Sequence, residues 1–282
     1  MRQKKYIPSE KTSKRGFACV KVSSFAKHPL PLFLEAEVHY IKTEKRNEKI
    51  KKHLKSLKKS ELYDRNLNMY KVNASLKNES TDIGRCTVFT PGWLENESIW
   101  LHMEYKYILE LLKAGLYKEF FEEFKKTCVC FQDPKVYGRS LLENSSFIAS
   151  SAFPDKSMWG RGFVARLSGS TAEFMQMWLS MTCGEKPFAI DENKELVLEF
   201  KPILPKEYFN EDREFSFRFL GNTQVIYKNS QKIDTFSNKM AINKVVIRWH
   251  DGTMDYIDGA KIIGPKAKRI RAQEAKEIEV FF

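Results

Sequence analysis

Three short stretches concentrate side chains able to do chemistry on a polar substrate. In the first, Arg166 to Glu173, Ser170 is followed three residues later by Glu173, which is the spacing of a capping box. A helix is therefore expected to open at Ser170. Its first backbone N–H groups and positive dipole end would face Ser168 and Gly169, which allow close approach and add a hydroxyl donor. This pattern suits an anion such as phosphate or a carboxylate, and it also suits a capped helix that binds nothing. The second stretch, Pro91 to His102, carries Trp93, Glu95, Asn96, Glu97, Trp100 and His102 at the entry to a helix. Indoles beside carboxylates and amides suit a pyranose, which offers an apolar face and a rim of hydroxyls. His102 lies about one helical turn beyond Ser98 and is read either as facing the same mouth or as a hydrogen-bonded helix residue. The third stretch, Tyr137 to Phe147, offers Arg139, Glu143 and Asn144, as site residues or as loop anchors.

These stretches need elements to hold them. Apolar spacing predicts helices from Leu30 to about Lys42 and from about Arg46 to Ser60, after an irregular lead-in over residues 1–28. Residues 60–75 read as a buried loop. A helix is expected over Glu97 to Ala114, Gly115 stops it, and Tyr117 to Thr127 forms a short antiparallel partner with Phe120, Phe121 and Phe124 on one face. Residues 128–167 show no period but are rich in apolar and aromatic residues, which marks them as a functional loop. Thr171 to Cys183 is again helical. Beyond Lys194 the period becomes 2, as in Leu196, Leu198 and Phe200, or Val245, Ile247 and Trp249 before a turn at His250-Asp251-Gly252. The fold class is thus α+β, with a helical part followed by a small antiparallel β-sandwich.

Composition narrows the class further. The chain has 282 residues and a net charge of +12. Residues 1–60 hold 17 Lys/Arg against 5 Asp/Glu, and the rest is balanced, with 31 of each. The lysines around Ile50, Leu54 and Leu57 read as the solvated face of an amphipathic helix, so no nucleic-acid partner is expected. No run is long and apolar enough for a membrane span, and the amino terminus does not resemble a signal peptide, so the expectation is a cytoplasmic protein with no membrane partner. The five cysteines suggest buried free thiols, with neither a disulfide framework nor a metal site.

From about residue 60 to 265 the order of these elements resembles the inverting glycoside phosphorylases of the cellobiose phosphorylase family. In that family an Asn-rich segment ending in His and a later Leu-Thr-Gly-Thr stretch hold the attacking phosphate. Asn96 to His102 looks like the first, and Leu167-Ser168-Gly169-Ser170 like the second, with Ser in place of Thr. The resemblance implies an incomplete (α/α)6 barrel, represented by its last hairpins, closed by the β-sandwich. On that view residues 1–60 are a basic lead-in with barrel helices, 61–190 the end of the barrel and 191–282 the β-sandwich. It implies His102, Ser168 and Gly169 as phosphate ligands, and Trp93, Glu97, Glu143, Asn144 and Arg166 as sugar contacts. The substrates would be a β-glucan oligosaccharide and inorganic phosphate, with no organic or metal cofactor. The family's general-acid Asp sits in a Trp-Asn-Asp motif that has no counterpart here, since only Asp64 and Asp82 occur before Thr90. The catalytic residue is therefore expected upstream, in a missing half of the barrel. The isolated chain is expected to be inactive, and to associate with that half or with further copies. A related inverting hydrolase and a non-enzymatic carbohydrate-binding remnant are the alternatives.

Overall fold

Ser13 to Phe17 tighten into a turn around Gly16, at φ +79°, and the flanking residues pair as antiparallel strands β1 (Arg2–Thr12) and β2 (Ala18–Ala26). An irregular lead-in was the expectation for this stretch. Its strand pattern is hidden because Ile7, Val20, Val22 and Phe25 all face solvent, so the described side chains of the hairpin form no buried stripe. The computed structural model describes residues 2–163 and 169–282, with the backbone alone for residues 2–6. The chain is mixed α+β and divides into two units, Met1–Glu110 with Glu123–Arg166, and Leu111–Glu122 with Leu167–Phe282.

The first unit continues with α1 (Leu34–Thr43) and α2 (Asn47–Leu57). Leu34, Val38 and Ile41 bury one stripe of α1, and Ile50, Leu54 and Leu57 one stripe of α2, while Lys49, Lys51, Lys52 and Lys55 stay in water. The expected buried loop that follows contains a small hairpin, β3 (Tyr63–Asp64) and β4 (Met69–Tyr70). Asp64 pins it: its carboxylate accepts from the Asn66 and Leu67 N–H groups and from both the N–H and hydroxyl of Ser151. Strand β5 (Ile99–Trp100) leads directly into α3 (Leu101–Lys113), so that helix starts four residues later than periodicity suggests. Helix α4 (Tyr117–Thr127) returns as predicted, after Gly115 at φ +74°. The expected functional loop then supplies α5 (Pro134–Tyr137), β6 (Phe147–Ile148) and β7 (Gly162–Phe163). Strands β5, β6 and β7 form one antiparallel sheet.

The second unit takes the tip of the α3–α4 hairpin, residues 111–122, together with α6 (Gly169–Thr182) and all the later strands. Strands β8 (Phe188–Ile190) and β9 (Leu196–Glu199) precede β10 (Glu214–Phe219), β11 (Thr223–Lys228), β12 (Lys244–Trp249), β13 (Met254–Asp258) and β14 (Lys261–Ile263). Helix α7 (Pro265–Arg271) and β15 (Ala275–Phe281) complete it. They build a three-stranded sheet, β14-β9-β8, and a five-stranded sheet, β10-β11-β15-β12-β13. The sheets meet through Phe188 and Phe200, whose rings lie 5.9 and 5.4 Å from Phe219. Pairing is antiparallel except between β11 and β15, which run parallel, so the expected all-antiparallel sandwich is corrected to a mixed one. The chain crosses over β12 to β14 and α7 before β15 inserts at the centre, and that crossover sets its direction.

The two faces of the five-stranded sheet differ as period 2 requires. Val225, Tyr227, Val245, Ile247, Ile278 and Val280 are completely buried on one side. The other side carries a charge ladder in which Lys228 pairs with Glu214 and Glu279, and Arg248 with Glu277 and Glu279. The expected turn at His250-Asp251-Gly252 joins β12 to β13, with Gly252 at φ +85° and Asp251 accepting from the Thr253 N–H. All five cysteines are free thiols. Cys128 and Cys183 are buried as expected, whereas Cys130 is exposed and Cys19 and Cys86 are half-buried. Burial pushes the Cys183 thiol up to about 11. Among the described residues the helices close no barrel, and none is long and apolar enough to cross a membrane.

Candidate functional site

The segment from Pro91 to Ser98 is the most constrained loop of the first unit. Gly92, Leu94 and Glu97 all take positive φ, +83°, +48° and +57°, within six residues. Such conformations cost about 1–3 kcal/mol at non-glycine positions and persist only where surrounding bonds over-determine them. Those bonds are present. The Gly92 and Trp93 N–H groups donate to the Asn96 carbonyl at 2.8 and 3.2 Å, and the Asn96 N–H returns to Trp93 at 3.1 Å. The Asn96 carboxamide donates to the Phe89 carbonyl, and the Ser98 hydroxyl donates to the Leu94 carbonyl. Glycine is required at 92, where a Cβ would run into the Phe153 backbone.

One residue outside the loop clamps it on both sides. Asn73 donates from its side-chain nitrogen to the Glu95 carbonyl at 2.6 Å and accepts the Glu97 N–H at 2.7 Å. The carboxylates are held as well: Lys71 bonds Glu97 at 2.7 Å, with both side chains nearly buried, and Arg85 bonds Glu95 at 2.8 Å. Lys71, Asn73 and Arg85 were not among the residues singled out from sequence. Their own neighbours carry no motif, and only their placement opposite the loop identifies them.

The small sheet adds an aromatic wall. Period 2 puts Trp100, Phe147 and Phe163 side by side across β5, β6 and β7, with ring centroids 5.9 and 5.4 Å apart and nearly parallel planes. Trp93 lies on this row, 5.0 Å from Phe147 and 4.3 Å from Phe163, and 5.5 Å from Phe153. It is half-buried, so part of its surface is shared with the core and part remains open.

The other sequence-derived residues are distributed unevenly. His102 is half-buried in the first turn of α3. Its relation to Ser98 is not a helical turn, because β5 separates the two and Ser98 is buried in the loop. Glu143 pairs with Arg139 at 2.7 Å, and its backbone carbonyl accepts the Tyr137 hydroxyl. Asn144 accepts the Tyr105 hydroxyl at 3.0 Å. That third stretch therefore makes the loop-anchoring bonds that were its alternative reading. Gly169 opens α6, one residue ahead of the expected start, and belongs to the second unit. Arg166 and Ser168 lie outside the described residues.

Behind the loop the interior holds a carboxylic acid. Glu104 of α3 is completely buried, and both its oxygens lie within 3.0 Å of the Tyr70 N–H that they accept. Burial pushes its pKa well above the usual carboxylate range, against the opposing effect of the Tyr70 bond. A second buried carboxylate, Glu123 of α4, is held by Lys58 at 2.6 Å. Glu104 thus links α3 to β4, and Glu123 links α4 to Lys58 at the end of α2. No protein-family model matches the chain, and no curated protein matches it.

Proposed function

We propose that this chain supplies part of the sugar site of an inverting glycoside phosphorylase that cleaves β-glucosidic bonds with inorganic phosphate. The observation that carries the reading is the strained loop from Pro91 to Ser98, which holds Trp93, Glu95 and Glu97 rigidly beside an aromatic row. A pre-set indole platform with fixed carboxylates is what recognition of a pyranose needs, and strain retained in a bonded loop is a mark of function. In this reading Trp93 stacks on the sugar and Glu97, Glu143 and Asn144 contact its hydroxyls. In the first unit, His102 would contribute to orienting phosphate. Phosphate attacks the anomeric carbon from the face opposite the leaving oxygen, which inverts the configuration, and an Asp supplied by another segment protonates that oxygen. The same reading takes the α1–α2 and α3–α4 hairpins as the last hairpins of an (α/α)6 barrel, and the chain as cytoplasmic.

A specific observation favours a second reading, a carbohydrate-binding chain without turnover. Glu95 and Glu97 are each already paired with a cation, and Glu143 with Arg139, so all three carboxylates have structural partners within the fold. Incubating the chain, together with any protein encoded immediately upstream, with β-glucan oligosaccharides separates the two. Phosphate-dependent release of a sugar 1-phosphate supports the first. Saturable glucan binding that Trp93→Ala abolishes, with no product at any phosphate concentration, supports the second. Turnover that does not need phosphate defeats the first and points to hydrolysis.

A further inference from the structure

Next to the strained loop, the first unit opens a cleft of about 610 Å³, a volume typical of small-molecule sites. The cleft and the loop share Glu95, and Asn73, which clamps the loop, lines the cleft as well. Trp100, from the aromatic row, forms part of its wall. Away from this junction the lining is apolar, made by Leu30, Phe33, Leu76, Ile83 and Met103. Leu30, Phe33 and Ile83 are 68%, 42% and 40% exposed, so apolar surface faces water at the mouth.

The polar groups that reach this cleft are few: Asn73, Arg85 and Glu95, with the Cys86 thiol. Both ends of the Asn73 carboxamide serve the loop, the largely exposed Arg85 gives one N–H to Glu95 Oε1, and the buried Glu95 Oε2 has no hydrogen-bond partner among the described residues. A second pyranose in this position would give up water from a ring of hydroxyls and find replacement partners only at Glu95 and Arg85, with the rest of the wall apolar. A flat apolar group would instead cover Trp100 and the exposed Phe33, Leu30 and Ile83. Resting on the reading of the loop as a sugar site, we propose that the cleft takes the apolar aglycone of a β-glucoside whose sugar ring lies at Trp93–Glu97. The preferred ligands are therefore aryl β-glucosides, ahead of disaccharides at the same sugar site.

Calorimetric titration of the full chain with phenyl β-glucoside, methyl β-glucoside, cellobiose and phenol tests this. Phenyl β-glucoside is expected to bind at least about 10-fold tighter than methyl β-glucoside or cellobiose, the factor that burial of roughly 55 Å² of apolar surface gives. Ile83→Asp, at an exposed position on the cleft wall, should erase that preference and leave methyl β-glucoside affinity unchanged. If cellobiose binds as tightly as phenyl β-glucoside, or if Ile83→Asp weakens both glucosides alike, the aglycone assignment is overturned while the sugar reading stands. If no glucoside binds, or phenol alone binds as well as its glucoside, the sugar reading fails and the aglycone assignment fails with it.

Discussion

At the scale of single residues, Asn73 does the most with the least. Two hydrogen bonds from one buried carboxamide fix the backbone on either side of Asn96, and so set where Glu95 and Glu97 point. Asn73→Ala removes both and leaves the Glu97 N–H without its partner, a loss of about 2–3 kcal/mol at typical values for buried hydrogen bonds. Urea denaturation should show this as a lower midpoint, with faster amide exchange at Glu97. Glu104 gives a pH test. Its folded pKa is raised, so its contribution is fully present below the unfolded carboxyl value of about 4.3 and is lost as pH rises toward the folded value. Glu104→Gln removes that proton site. The difference in unfolding free energy between wild type and Glu104→Gln should therefore shift in favour of the variant as pH is raised from 4 upward, and a pH-independent difference would refute the assignment. Neither residue was legible from sequence. A buried carboxylate on a helix reads like a solvated one until its surroundings are known, and Asn73 has its partners more than twenty residues away. Trp93 and Glu97 could be singled out because they sit together in one aromatic, acidic stretch.

At the scale of elements, the periodicities that could be read were those with one buried stripe. Helix α4 matches its expected span because Phe120, Phe121 and Phe124 face one way, and β12 because Val245, Ile247 and Trp249 do. Strands β1 and β2 escaped because their described apolar side chains, Ile7, Val20, Val22 and Phe25, meet water. Helix α7 escaped because seven residues with only Ala267 and Ile270 buried make too short a pattern. The parallel β11–β15 pair depends on a contact across about fifty residues, which no local signal encodes. The five-stranded sheet predicts a contrast in mutational cost between its faces. Ile278, completely buried on the core face, should cost about 2–5 kcal/mol as Ile278→Ala. Arg248, 45% exposed in its charge ladder, should cost less than about 1 kcal/mol as Arg248→Ala. Chemical denaturation of the two variants measures both, and similar losses would contradict the assignment of faces.

At the scale of the whole molecule, the units are not consecutive in sequence. The tip of the α3–α4 hairpin belongs to the second unit although its flanks belong to the first. Within the second unit, Phe121 lies 5.6 Å from the Tyr208 ring and 6.3 Å from Phe236, and Tyr117 lies 5.1 Å from Phe236. A polypeptide of residues 167–282 would therefore lack part of its own core, and it is expected to bind a hydrophobic dye strongly and to melt with low cooperativity, unlike the full chain. A sharp, dye-silent transition of that fragment would show that the hairpin tip is dispensable. The division at 111–122 could not be read from sequence, where the boundary signals were the basic stretch ending near residue 60 and a change of period near residue 190. The arrangement also sets a timetable during synthesis. Phe121 leaves the ribosome 115 residues before Phe236. At about 5–20 residues per second, the aromatic tip must wait on the order of ten seconds for the ring that covers it. Over that interval the nascent chain offers a phenylalanine-rich helix to any chaperone present.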